Sequence, residues 1–380
     1  MTPALKVVHV TTVHRPFDAR IFHKQCISLA KAGYDVTLIQ RGDRGGRRDG
    51  VAVAPLRERR SRLGRMTLGV WEAVRQIRQI RPQIVHFHDV ELIWGALLLK
   101  VLGTPIVIYD VHEDVAKDLD DKAYLPVWLR WPIRQMVNFT EWLARLSFDQ
   151  MSAATTAIAA RFPARQVTLV RNTPIVGEMA TLDAPDFVDR PMRAVYLGGL
   201  AAFNGPVAMV DAIGKVPADI GVQLLLGGIW PDAAIEAKAK SLPGWDRTEF
   251  VGWVDRADVG AIFATARCAL VLYQPTPNVI DSEPNKFFEC LSAGLPLIAS
   301  NFPIWRALIE KFECGICVDP NNHDAIAGAI TWMMEHPAEA QAMGERGRQA
   351  VLNGYNWTVD AATLTAMYRK LLADKSMAHA

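Results

Sequence analysis

Short apolar runs recur along this chain, and the stretches between them carry apolar residues at helical spacing. In the first half, residues 6–11, 35–40, 84–88 and 106–109 read as buried strands, and 155–158 and 167–170 continue the series. Residues 21–32, stopped by Gly33, and the apolar segment 92–102 are predicted as helices. A second series follows at 194–197, 222–226, 249–251, 268–272, 297–300 and 316–318. Alternation of this kind implies parallel sheets with helices on both faces. Residues 172–191, rich in proline, acids and turn formers, interrupt the pattern. The chain is therefore expected to form two α/β domains, 1–172 and 173–355. Residues 356–380 add a late amphipathic helix, clearest at 364–372, and a frayed tail. In doubly wound sheets ligands bind beyond the carboxyl ends of the strands, and a cleft between two such domains is the expected site.

The stretch DSEPNKFFECLSAGLPLIAS (281–300) carries the most chemistry. Pro284 is tolerated in a first helical turn, Gly294 is a left-handed stop, and an apolar strand follows. Asp281 falls in the loop before the helix and Glu289 inside it, eight positions on. A helix N-terminus attracts an anion, whereas two flanking carboxylates accept hydrogen bonds from hydroxyls. That combination suits a ligand with phosphate and several hydroxyls, such as a nucleotide sugar. From spacing alone, a helix cap and a solvated charge account for the same two acids.

This stretch resembles the E-x7-E region of retaining GT-B glycosyltransferases of family 4, in the branch reading P-N-K-x-F-E-x-x-x-A-G-x-P. The resemblance implies two Rossmann-like doubly wound domains facing a central cleft. The last helix, in YNWTVDAATLTAMYRKLL (355–372), would pack back on the first domain. It implies that Glu289 holds the ribose of the donor and Asp281 the hydroxyls of its sugar, with Asn285 and Lys286 nearby. Asp281 stands where the family usually has Glu, one methylene longer.

His14-Arg15-Pro16-Phe17-Asp18-Ala19-Arg20-Ile21-Phe22 follows the first strand, in a loop that should face the cleft. Related enzymes carry a similar H-x-x-x-D-x-R-I-F stretch, which places His14, Arg15 and Asp18 on the acceptor side. A forked contact from Arg20 suits a phosphate or an anionic acceptor; an Asp18–Arg20 surface pair is the plainer reading. VHFHDVEL (85–92) and YDVHED (109–114) end strands, and alternation puts His86 and His88 on one sheet face. With Asp89 and His112 they form a candidate metal set. The resemblance instead puts His112 beside the transferred sugar, His88 on the acceptor side, and Asp110 and Glu113 as companions, with no metal.

YLGGLAAFNGP (196–206) departs from the family. Most relatives hold two cations here, which neutralise the departing diphosphate; the matching positions are Gly199 and Asn204. Arg15, Arg20 and Lys286 are the candidate replacements. The reading is transfer of a sugar with retention, from a nucleotide sugar to a lipid-linked or saccharide acceptor, in cell-surface polysaccharide synthesis. Two alternatives remain: a silent subunit that binds a partner transferase, and a nucleotide-sugar epimerase.

Composition narrows the setting. A net charge of +2 over 380 residues gives no reason to expect nucleic acid. Five scattered cysteines favour a reducing compartment, and the start lacks the pattern of a secretory signal, so a cytoplasmic protein is expected. Cys314 and Cys317 form a lone C-x-x-C in what reads as a short buried strand. Residues 57–81 and 124–146 mix arginine with Trp71, Trp128, Trp131 and Trp142. Such segments suit an anionic bilayer surface, here the inner face of the cytoplasmic membrane, or else a solvated helix over an aromatic cluster.

Overall fold

A computed structural model describes residues 4–103, 106–112, 126–179 and 185–378. The chain divides into two compact units: residues 1–172 with 357–380, and residues 173–356.

The first unit holds an eight-stranded sheet, and its strands are β1 (Lys6–Val10), β2 (Asp35–Arg41), β3 (Gly46–Arg48), β4 (Val51–Leu56), β5 (Ile84–Phe87), β6 (Ile106–Val111), β7 (Gln150–Ala153) and β8 (Val167–Leu169). Their order is β3-β4-β2-β1-β5-β6-β7-β8, parallel except for the β3–β4 hairpin. Register assigns the two faces. Val8 pairs with Val85 and Val10 with Phe87, and all four enter the apolar core with Val107 and Tyr109. His9 pairs with His86 on the opposite face.

That opposite face is covered partly by the chain's last helix, Trp357–Ala378. Trp357 Nε1 donates to Ser28 Oγ at 2.8 Å, Asp360 accepts from the Arg171 backbone, and Tyr368 is fully buried. The first helical segment, Ala19–Cys26 continuing as Ile27–Lys31, is capped by Asp18, which accepts from the Arg20 and Ile21 backbones.

The second unit has six parallel strands, β9 (Arg193–Leu197), β10 (Gln223–Gly227), β11 (Thr248–Gly252), β12 (Cys268–Val271), β13 (Leu297–Ser300) and β14 (Gly315–Val318). Their order is β11-β10-β9-β12-β13-β14. Strand order reverses beside β1 in the first sheet and beside β9 in the second. At such switch points the loops splay apart and leave a crevice at the carboxyl ends.

One sequence expectation needs correction, and one element was unforeseen. Residues 155–158 are not a strand: the strand is Gln150–Ala153, and Thr155 caps a short helix, Thr156–Ala159, by accepting from the Ile158 backbone. The β3–β4 hairpin was not anticipated, because β3 is three exposed residues with no apolar run to reveal them. No described helix is long and apolar enough to cross a membrane.

Candidate functional site

The crevice of the first unit is organised by two buried acids. Asp89, just after β5, accepts through one oxygen from Thr11 Oγ1 (2.9 Å) and from the Thr12 and Val13 backbones (2.6 and 3.2 Å). These bonds fix the loop after β1 and set His14, whose Nε2 lies 3.4 Å from the other Asp89 oxygen. Asp110, near the end of β6, receives a fork from Arg20, Nε at 2.9 Å and Nη2 at 2.7 Å, and a third bond from Gln25 at 3.2 Å. Burial alone would raise the Asp110 pKa, but Arg20 and the neighbouring hydrogen bonds hold it well below the carboxylate range. His112 Nδ1 sits 3.2 Å from the Asp110 carbonyl oxygen, and His112 Nε2 lies 2.9 Å from His14 Nε2. Because a carbonyl only accepts, His112 Nδ1 carries the proton, and its Nε2 lone pair is turned toward His14.

Behind this pocket lies a directed chain of hydrogen bonds. Asp110 is an anion and only accepts, so His88 Nδ1 donates to it at 3.1 Å. Burial lowers the pKa of His9, His86 and His88, and a neutral His88 must then accept at Nε2, from His9 Nδ1 at 2.8 Å. His9 Nε2 in turn accepts from the Tyr368 hydroxyl at 3.1 Å, and Tyr368 accepts from His86 Nδ1 at 2.8 Å. The chain ends at His86 Nε2, buried with no partner among the described residues.

The ring nitrogens of these three histidines lie within 4.8 Å of one another, which raises the question of a metal. The 2.8 Å between His9 Nδ1 and His88 Nε2 is a hydrogen bond, shorter than the ~3.3 Å between two nitrogens on a tetrahedral zinc. The rings of His9 and His86 both stack on that of His88, and the cluster is a hydrogen-bonded stack. The set His86, His88, Asp89 and His112 does not converge either, since Asp89 and His112 are spent on the loop and on His14.

In the second unit, the helix Asn285–Ser292 points its N-terminus toward the loop after β9. A Cβ on Gly198 would lie 2.0 Å from Lys286 Cε, so the lysine runs directly over this glycine, with Nζ 5.8 Å from the Tyr196 ring centre. Tyr196 donates to the Gly199 carbonyl at 2.9 Å. Asn204 is buried, with Oδ1 only 3.4 Å from where a Gly199 Cβ would stand. Gly205 has φ +76° and would meet the Leu272 carbonyl at 2.0 Å with any side chain. The loop after β9 is thus pressed onto β12, and Lys286 supplies its cation. Asp281 is half-buried at the end of a short helix, Pro277–Ile280, in a segment anchored by Trp305 Nε1 donating to Ser282 O at 2.7 Å. Glu289 accepts from Arg256 Nη1 at 3.0 Å, and Arg256 also grips Glu178 through Nε and, at 2.7 Å, Nη2. The hydrogen bond to Glu178 is the largest influence raising the Arg256 pKa, so the guanidinium stays charged.

Of the residues singled out in the sequence, His14 lies beside Asp18 and His112, Lys286 crosses the loop that carries Gly199 and Asn204, and Glu289 faces Arg256. Arg15 is exposed. Two of the predicted residues lie inside the fold: Arg20 is 4% exposed and bonds Asp110 and the Val170 carbonyl, with Nη1 unpartnered among the described residues, and the His88 side chain is wholly buried against Asp110. Glu113 and Tyr124 lie outside the described residues. His9, Tyr368, Arg256 and the loop-holding role of Asp89 were missed. Alternation from His86 could have suggested His9; nothing local marks Arg256 or Tyr368, whose partners are distant in sequence.

Comparison with known proteins agrees with this organisation. The family described as "Glycosyl transferases group 1" matches residues 183–350, and "Glycosyl transferase 4-like domain" matches 19–176. Among curated proteins, an MMP alpha-(1->4)-mannosyltransferase of Mycolicibacterium hassiacum is 20% identical over 73% of this chain and 68% of its own length. Among solved structures, a sucrose-phosphate synthase from Thermosynechococcus elongatus superposes with a TM-score of 0.75 at 20% identity, over 97% of this chain and 100% of that one. HepE from Anabaena, solved with UDP, gives 0.75 at 14% identity, over 96% of this chain and 100% of that one.

Proposed function

Because the chain belongs to the glycosyl transferases group 1 family and has the GT-B fold, we propose that it moves a sugar, with retention, from a nucleotide sugar to a lipid-linked or saccharide hydroxyl. The observation that carries this reading is Lys286 lying over Gly198, one helical turn before Glu289. A cation and a helix N-terminus suit the diphosphate, and the carboxylate suits the ribose diol. HepE, solved with UDP on the same fold, supports a nucleotide ligand. Asp281 is assigned to the donor sugar, with Asn285 and Asn204 as neutral partners. His112, steered by Asp110, and the neighbouring His14 and Arg15 are assigned to the sugar and acceptor. The leaving phosphate oxygen takes the acceptor's proton on the face it departs from, while Lys286 and the helix N-terminus hold the diphosphate. No metal is needed in this scheme.

A lipid-linked acceptor is favoured by the exposed face of the helix Val127–Ser147, where Trp128 is 75% and Trp131 67% exposed, with Phe139, Trp142 and Leu146 along the same side. Trp71 with Arg75, Arg78 and Arg81 lines a groove of about 1050 Å³ in the same unit. Arg59 and Arg65 are spent on Glu72 and Glu91. This reading places the protein peripherally on the inner face of the cytoplasmic membrane, in cell-surface polysaccharide synthesis. One observation favours a second reading: Gly199 and Asn204 bring no charge to the loop after β9, as expected of a subunit that binds donor without turning it over.

The test is nucleotide release from a panel of UDP-, GDP- and dTDP-sugars, with and without membrane extract, for the wild type and Glu289→Ala. Acceptor-dependent release that the substitution abolishes is the expected result. Tight donor binding with no release under any condition sinks turnover in favour of the silent subunit.

A further inference from the structure

Arg256 sits far in sequence from the donor-site segment, yet it holds the one carboxylate there that a ribose would use. Its Nε and Nη2 fork onto Glu178, and the remaining arm, Nη1, reaches Glu289 Oε1 at 3.0 Å. A planar guanidinium gripped on one edge has a fixed orientation, so its third arm is aimed. Glu289 is thereby clamped at one oxygen, while Oε2 has no hydrogen-bond partner among the described residues. The Glu289 side chain is 13% exposed and the Arg256 side chain 44%, so the clamp lies toward the surface, and Oε2 is not among the buried polar atoms that lack a partner. A carboxylate free to rotate about its side-chain bonds loses that freedom on binding a diol; a clamped one has lost it beforehand. The three groups together carry a net charge of one negative, which favours hydroxyl donors over phosphate at this spot.

We infer that Arg256, oriented by Glu178, is a positioning residue that presets the Glu289 carboxylate for the 2′ and 3′ hydroxyls of a nucleotide ribose and so sets the discrimination of ribo- from 2′-deoxyribonucleotides. This rests on Glu289 being the ribose ligand, as proposed above. Arg256 contacts the ligand's partner rather than the reacting atoms, and its effect falls on the ribose alone.

The experiment is a calorimetric comparison of UDP with 2′-deoxy-UDP and of GDP with 2′-deoxy-GDP, on the full chain. In the wild type, losing the 2′ hydroxyl weakens binding ~10- to 100-fold, as expected for a hydrogen bond to a charged group. Glu289→Ala removes the difference. Arg256→Met compresses it to about threefold, because it weakens the ribonucleotide, which uses both hydroxyls, more than the deoxynucleotide, which keeps only the 3′ hydroxyl. Glu178→Gln moves the ratio the same way by less, and stands in if Arg256→Met does not fold. A purely structural role weakens both nucleotides alike and leaves the ratio at the wild-type value; that result in Arg256→Met and Glu178→Gln overturns the inference while leaving Glu289 in place. A wild type that binds nucleotide with no ribose preference overturns the role of Glu289 itself, and the clamp with it.

Discussion

Gly198 and Gly205 lie in the same loop, yet each excludes a side chain for a different reason. At Gly198 the obstacle is Lys286 Cε, the mobile end of a long side chain. At Gly205 it is the Leu272 backbone carbonyl, and φ is already +76°. The first obstacle can move and the second cannot. Gly198→Ala is therefore expected to leave stability within about 1 kcal/mol but to push the lysine off its track, weakening nucleoside diphosphate binding about tenfold or more. Gly205→Ala adds left-handed strain of ~1–2 kcal/mol to a backbone overlap, and is expected to cost at least about 2 kcal/mol. Denaturant titration and nucleotide binding on the two variants check both halves. If Gly198→Ala binds nucleotide as the wild type does, Lys286 is not the diphosphate cation.

Among the elements, those that bury apolar runs on both faces were legible, and those built from long-range polar contacts were not. β5, β10, β12 and β13 read directly as Val-, Leu- and Ile-rich strands because parallel sheets hide both faces. The Asn285–Ser292 helix was legible from Pro284 and Gly294, which punctuate it at either end. The exposed β3 strand carries no such signal, and Thr155-Thr156 has strand-like composition while Thr155 Oγ1 caps a helix. The role of the last helix was implied by resemblance, but its deepest contact, Tyr368 between His9 and His86, spans most of the chain and leaves no local trace. That contact makes a prediction for the element. Tyr368→Phe leaves His9 Nε2 and the His86 Nδ1 proton unpaired in a dry site, a loss of ~1–3 kcal/mol. Hydrogen exchange should locate the lost protection in residues 357–378 and in β1. Protection lost only at the frayed end would mean that the hydroxyl does not tie the helix down.

Across the whole molecule the two units differ in how they should meet acid. The first unit buries His9, His86 and His88, and burial, the leading cause for each, lowers their pKa values; Asp110 partly counters it, more closely at His88. In the unfolded chain these groups titrate near the ordinary 6.5. Above that pH both states are neutral and the histidines contribute no pH dependence. As pH falls below it, the unfolded state takes up protons that the folded state refuses, so folding stability drops by up to ~1.4 kcal/mol per pH unit for each histidine. Asp110 does not cancel this. Its pKa is held well below the usual carboxylate value in the fold and is ordinary in the unfolded chain, so between pH 7.5 and 5.5 it is an anion in both states. The facing Arg20 guanidinium adds positive charge that opposes protonation of His86 further, and His112 acts in the same direction at His86 and His88. The second unit's described histidines, His323 on Asp211 and His336 on the Trp332 carbonyl, are half-buried surface residues without such a cluster. Hydrogen exchange from pH 7.5 to 5.5, corrected for intrinsic rates, should show β1, β5 and β6 losing protection steeply while β9, β10 and β12 change little. Replacing His9 and His86 together by glutamine should flatten the first unit's response even if it lowers its stability at pH 7.5. Equal losses in both units would assign the acid sensitivity to overall charge and not to the buried histidine stack.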